Sequence, residues 1–335
     1  MRVLVIGGTL FIGKLLVKRL IAAGHEVTIL HRKAEHPFGR KVRNVVADRN
    51  DVTTIRTAVS GLKFDAVYDI AYDWERGTTS AQVEATAKSI PGDLSRYIFM
   101  SSVAAYGDGL NHAEDDPLAS DIHTNPYVRN KASSERALFR MYHESRFPVV
   151  TMRPPFVYGP ENPFYREAFF WDRLRADRPI IIPGDGNRLM QFVYINDLVD
   201  ACFNALEKHT APGRAFNVGD DKALTQIEAV TEIAKSIGKV PNIVRVPREI
   251  IVRNGGNAYN EPFYFGQYLD VPPITEVIGR VKRVLNVAPT PFGTGLKETY
   301  KWYLRHAEPT KTLSFAFEDK VIRQAREYVQ QRTAL

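Results

Sequence analysis

The sequence predicts an α/β chain whose main body is a doubly wound parallel sheet. Three observations carry this. A short apolar strand leads directly into a glycine-rich turn at the start of the chain; strand-like and helical runs then alternate up to Met152; and after Pro154-Pro155 the texture turns proline- and aromatic-rich. Alternation of this kind favours parallel βαβ units.

The elements follow in order. Arg2–Ile6 is a short run with a fully apolar, β-branched core, followed by Gly7-Gly8-Thr9-Leu10-Phe11-Ile12-Gly13 and then by Lys14–Ala23, whose apolar spacing is helical. Glu26–Leu30 supplies the second strand that a βαβ unit requires. Strand, glycine turn and helix together aim free backbone N–H groups and a helix N-terminus at a pyrophosphate, as in a Rossmann-type fold. For the glycines alone, a tight structural turn is the competing reading. Val42–Ala47, Ala66–Ala71, Tyr97–Met100 and Pro148–Met152 read as later parallel strands, with crossover helices between them.

On this pattern residues 1–153, with returning segments near 185–220, form the dinucleotide-binding domain. Residues 154–184 and 221–335 form mainly a smaller α/β substrate-binding part with C-terminal helices. The dense aromatics from Tyr158 to Trp171 suit loops and helices over a cleft, and Asn254–Pro262 reads as a flexible loop.

Composition agrees. A chain of 335 residues, 44% hydrophobic and 25% charged, has the apolar content for a large core. The single cysteine, Cys202, excludes an internal disulfide and reads as a small buried hydrophobe. The opening apolar run is too short for a signal peptide or a membrane span, so a cytoplasmic protein with no membrane partner is expected. No metal site is expected. The net charge of +7 is scattered (Arg32-Lys33, Arg40-Lys41, Lys282-Arg283, Arg323, Arg326). Solvated surface charge and attraction to an anionic ligand both remain open.

The candidate chemistry lies in Tyr97–Gly107 and Asn125–Lys131. Tyr127 and Lys131, at i and i+4, share one face of a helix. An ammonium there can stabilise a phenolate and draw the tyrosine pKa down from about 10. A nearby serine, Ser102, can hold the same substrate oxygen. The set is a proton-transfer device for a carbinol.

These residues together resemble the extended short-chain dehydrogenase/reductase superfamily, in its NAD-dependent epimerase/dehydratase family. Further matching pieces are Arg153–Pro160, Gly184-Asp-Gly186, Phe192–Leu198, Phe216–Gly219 and Gly295–Thr299. The resemblance implies an NAD(P)-dependent epimerase or oxidoreductase that interconverts a secondary alcohol and a ketone on a sugar or nucleotide-sugar-like substrate. Tyr127 is then the general acid/base, Lys131 also binds the nicotinamide ribose, and Ser102 bonds the reacting oxygen. Gly7, Thr9, Leu10, Phe11, Ile12, Gly13, Ala71 and Pro154 line the cofactor. Asp48 matches the carboxylate that meets the adenine amino group, with a solvated strand-end acid as the other view. Family members commonly dimerise through the helix bearing Tyr127 and its neighbour, which implies a homodimer.

Departures from the family pattern narrow the expectation. NAD-preferring members end the second strand with an acid, whereas this chain reads Leu30-His31-Arg32-Lys33. Arg32 can pair with a ribose 2′-phosphate, which favours NADP over NAD; a wet loop is the alternative. Dehydratases carry an Asp–Glu pair after the active-site hydroxyl, where this chain has Val103 and Ala104, so simple redox is expected. Met190 stands at the epimerase arginine that clamps a diphosphate; Arg188, two residues upstream, and Phe156 are substrate candidates. Leu10 replaces the central glycine and should crowd the cofactor slightly. The turn and Phe169–Pro179 also resemble the chloroplast stem-loop-binding proteins, in which the catalytic tyrosine is lost. Three functions follow: the sugar epimerase or oxidoreductase, an NADPH-dependent reductase of a non-nucleotide ketone, and an RNA-binding protein on the same scaffold.

Overall fold

The computed structural model describes residues 1–306 and 313–333. The chain divides into two compact units: Met1–Val157 with Phe192–Asp221 and Ile274–Pro289, and Tyr158–Gln191 with Lys222–Pro273 and Thr290–Leu335. The short return at 274–289 into the first unit carries no signal noticed in the sequence.

The first unit is built on seven parallel strands: β1 (Arg2–Ile6), β2 (Glu26–His31), β3 (Arg43–Val46), β4 (Ala66–Asp69), β5 (Arg96–Met100), β6 (Val149–Arg153) and β7 (Arg214–Asn217). They lie in the order β7-β6-β5-β4-β1-β2-β3, every pair parallel. Strands covered on both faces must be apolar on both, and β1, β4, β5 and β6 are buried nearly throughout.

Successive side chains serve opposite layers. Leu4 and Ile6 join Ile55, Val83, Leu138 and Met141 in one core cluster, on the side of α2 (Val52–Ala58), α3 (Ser80–Ser89) and α4 (Pro126–Ser145). On the other side α1 (Phe11–Ala22) packs beside the helix Ile195–Glu207, whose Cys202 is fully buried. Burial pushes the Cys202 thiol pKa up to about 12, and its carbonyl accepts from Tyr68 Oη at 3.1 Å. That is the apolar role the sequence suggests.

Asn217, at the end of β7, fastens the three segments of this unit. Its Nδ2 donates to the His112 and Val277 carbonyls at 2.9 and 3.2 Å, and its Oδ1 accepts from Tyr106 Oη at 2.7 Å.

In the second unit, Ile180–Pro183 pairs parallel with Ile243–Val246, and Leu189–Met190 pairs antiparallel with Leu224–Thr225. The helices Glu167–Arg175, Gln226–Ser236, Phe292–His306 and Ala316–Thr333 belong to it. Asn254–Pro262 holds no strand or helix beyond the C-cap at Asn254. Among the described residues no helix is long and apolar enough to cross a membrane.

Candidate active site

The glycine turn leaves no room for side chains. Gly7 has φ +93°, and a Cβ on it would stand 2.9 Å from Ala71 Cβ; one on Gly13 would reach 2.1 Å from the Gly7 carbonyl oxygen. Ala71 N donates to Ile6 O at 3.1 Å, which pins the loop after β4 against this turn. Helix α1 has no side-chain cap and no acid in its first turn, so its leading N–H groups are open to an anion. The residues thus fit a dinucleotide pyrophosphate. Thr9 and Ile12 are half-buried and Phe11 is buried, while Leu10 is 72% exposed and stands mostly in solvent.

Next to it, the loops after β2 and β3 present Arg32 and Asp48. The Asp48 carboxylate accepts from Asn50 N at 2.9 Å and from Arg76 Nη2 at 2.7 Å. Partial burial disfavours its charge, but these donors outweigh that and hold its pKa below the usual carboxylate range. Arg32 Nη1 lies 3.7 Å from Asp73 Oδ2. Asp73 and Arg76 come from the loop after β4 and were not singled out in the sequence.

The candidate proton-transfer residues sit on α4 and just beyond β5. Asn125 caps α4, its Oδ1 accepting from Tyr127 N at 2.9 Å, and Pro126 fills the first turn. One turn on, Lys131 is buried, and its Nζ donates to the Met100 carbonyl at 2.7 Å. The ammonium also lies 5.0, 5.1 and 5.8 Å from the ring centres of Tyr72, Phe99 and Tyr127. Burial lowers the Lys131 pKa to about 8, opposed by the Asp69 carboxylate. Asp69 itself is paired with Arg49 at 2.6 Å.

Two residues beyond Met100, Ser102 is buried. Its Oγ accepts from Ala104 N at 3.2 Å and lies 3.5 Å from the Pro154 carbonyl, which Val103 N also reaches at 3.0 Å. Val103 and Ala104 open a 3₁₀ turn and offer no titratable group there. Phe156 meets Phe192 at 5.9 Å. Arg188 belongs to the second unit, where it is 2.9 Å from Asp270, which also binds Arg248. Met190 is buried.

A buried network behind the site also escaped the sequence reading. Glu135, two turns after Tyr127, accepts from Arg153 Nη2 at 2.7 Å and from Thr151 Oγ1 at 3.0 Å, and it is bonded by Ser101 Oγ. Arg153 continues to Tyr106 Oη at 2.7 Å. The i+4 step from Lys131 to Glu135 was the available signal, since it extends the same helix face.

A profile of the NAD dependent epimerase/dehydratase family matches residues 3–219. The chloroplast stem-loop binding protein of 41 kDa b from Arabidopsis thaliana is 30% identical over 267 residues, 74% of this chain and 67% of that protein. The dTDP-D-glucose 4,6-dehydratase of Bos taurus is 26% identical over 67% of this chain, which spans only 60% of its length. Among solved structures, dTDP-glucose 4,6-dehydratase from Bacillus anthracis, in complex with NAD, superposes with a TM-score of 0.72 at 18% identity, covering 92% of this chain and 97% of that one. UDP-glucuronic acid 4-epimerase from Bacillus cereus, in complex with UDP-glucuronic acid and NAD, gives 0.70 at 20%, over 91% and 99%. At such identities these two share the fold. The chain belongs to the NAD dependent epimerase/dehydratase family, enzymes of the extended short-chain dehydrogenase/reductase type.

Proposed function

We propose that this protein is a nicotinamide-dependent epimerase or oxidoreductase acting on a secondary alcohol of a sugar or nucleotide-sugar-like substrate. The observation that carries the reading is the buried ammonium of Lys131, tethered to the Met100 carbonyl and 5.8 Å from the Tyr127 ring centre. A cation fixed there lowers the cost of a phenolate on Tyr127. One of its three protons goes to Met100, which leaves two for ribose hydroxyls.

In the oxidising direction Tyr127 takes the hydroxyl proton of the carbinol, and in the reducing direction it returns that proton to the ketone oxygen. Ser102 Oγ donates to the same oxygen. A nicotinamide held in this groove would accept the hydride from the carbinol carbon or return it to the ketone carbon. With Val103 and Ala104 beside Ser102, no side chain there moves a second proton. This supports epimerisation through a ketone, or net redox, over elimination of water, although relatives are named as dehydratases.

Two narrower readings have separate support. Arg188 is engaged by Asp270 and Met190 is buried, which favours a non-nucleotide ketone, and Arg32, just after β2 where no acid stands, favours NADPH as its reductant. The stem-loop-binding relative favours RNA as a ligand. Steep salt dependence of RNA affinity supports that reading, and absence of binding at about 0.1 M salt removes it.

The deciding experiment is an absorbance and native-mass inventory of what copurifies, paired with Tyr127→Phe. A nicotinamide cofactor is expected with both proteins, and turnover of a copurifying or screened alcohol is expected to fall by about 10²–10⁴-fold in the variant. Unchanged turnover in Tyr127→Phe, or no affinity for either nicotinamide cofactor, overturns the proposal.

A further inference from the structure

The loop after β4 places Tyr72, Asp73, Trp74 and Arg76 beside the site. Trp74 lies nearly parallel on the Tyr127 ring, centres 5.1 Å apart at 19°, and Tyr72 meets that ring edge-on at 5.0 Å. Trp74 is nonetheless 55% exposed. Two residues on, Arg76 Nη2 donates to Asp48 Oδ2 at 2.7 Å and to Asp73 Oδ2 at 2.6 Å, and the same Asp73 oxygen faces Arg32 at 3.7 Å. Two guanidiniums and two carboxylates thus alternate across the loops that follow β2, β3 and β4.

Asp48 and Arg32 are the residues assigned above to the adenine amino group and the ribose 2′ position. Each faces a member of the Asp73/Arg76 pair. Asp73 is also the pivot of its own turn, its Oδ1 accepting from Glu75 N at 3.0 Å and Arg76 N at 2.9 Å. Trp74 sits inside that turn. A shift of Asp73 therefore carries the indole with it.

We propose that Arg76 reads the adenosine end of the cofactor together with Arg32, and that its change of partner moves Trp74 on the face of Tyr127. The inference rests on the cofactor reading above. A 2′-phosphate offers both guanidiniums an acceptor that suits their planar forks better than one shared carboxylate oxygen. An adenine amino group donating to Asp48 competes with Arg76 for the same oxygen. Both changes loosen Arg76 from Asp48 and Asp73. Adenosine binding at one end of the dinucleotide groove then reaches the proton-transfer tyrosine through a turn of four residues.

The test uses adenosine 2′,5′-bisphosphate, which lacks the nicotinamide, with binding followed by calorimetry and by tryptophan emission on the full chain. Trp74→Phe identifies the share of Trp74 in the signal. A saturable emission change is expected in the unsubstituted protein and not in Trp74→Phe. Arg76→Ala is expected to weaken the fragment by about tenfold and to abolish the emission change at saturation, with Arg76→Lys in between. Equal affinity in Arg76→Ala, or binding with flat Trp74 emission, overturns the inference while leaving the cofactor reading intact. Failure of NADPH and NADH alike to bind the unsubstituted protein removes both.

Discussion

Lys131 shows how one side chain joins stability to chemistry. Its ammonium lies among three aromatic rings with a single backbone carbonyl as hydrogen-bond partner, and burial lowers its pKa to about 8. The folded chain therefore releases this proton before the unfolded chain does. Between about pH 8 and 10.5 the unfolded state binds more protons, so this group's contribution to stability rises with pH across that window. Relative to Lys131→Met, the unsubstituted protein should gain up to about 3 kcal/mol between pH 7 and pH 10.5, read from urea unfolding at both pH values. A flat difference would mean the ammonium is better solvated than its 4% exposure indicates. Under the proposed chemistry the sign is opposite, because loss of the positive charge above pH 8 would withdraw support from a Tyr127 phenolate.

Helix α4 depends on a buried charge pair. Arg153 and Glu135 are both nearly inaccessible, at 4% and 0% of their side chains. Removing one partner strands the other. Glu135→Ala is expected to cost about 3–5 kcal/mol in denaturant unfolding, whereas Glu135→Leu combined with Arg153→Met should recover much of that loss. A double variant no better than the single one would count against pairing as the cause. Tyr127 and Lys131 were legible in the sequence because a four-residue spacing defines a helix face without knowledge of the rest of the fold. The glycine turn was legible for a similar reason, being local. Arg76, Trp74 and Asp73 were not, since their partners Asp48, Tyr127 and Arg32 come from other loops and an irregular segment has no period to betray its direction.

At the scale of the whole molecule, the order β7-β6-β5-β4-β1-β2-β3 accounts for the strand runs read from the sequence, while the return of Ile274–Pro289 to the first unit had no composition signal. Asn217 is the point where all three segments of that unit meet. Asn217→Ala leaves the His112 and Val277 carbonyls and the Tyr106 hydroxyl without this partner, and should cost about 2–3 kcal/mol by urea unfolding. A loss below about 0.5 kcal/mol would show that water replaces it. From the family resemblance, a dimer is expected through α3 and α4, giving a solution mass twice the 37.9 kDa of one chain. Light scattering at the single-chain mass would dismiss it.

The seventh strand has a consequence for synthesis. β6 is complete once Arg153 is made, yet its neighbour β7 begins only at Arg214. At roughly 5–20 residues per second, the ribosome leaves the apolar edge of β6 unpaired for several seconds. Such an edge is a template for pairing with other chains. A chain stopped near residue 190 should collect in the insoluble fraction, and one carried past Asn217 should escape that route. In a crowded cell, this interval is when a chaperone has most to shield.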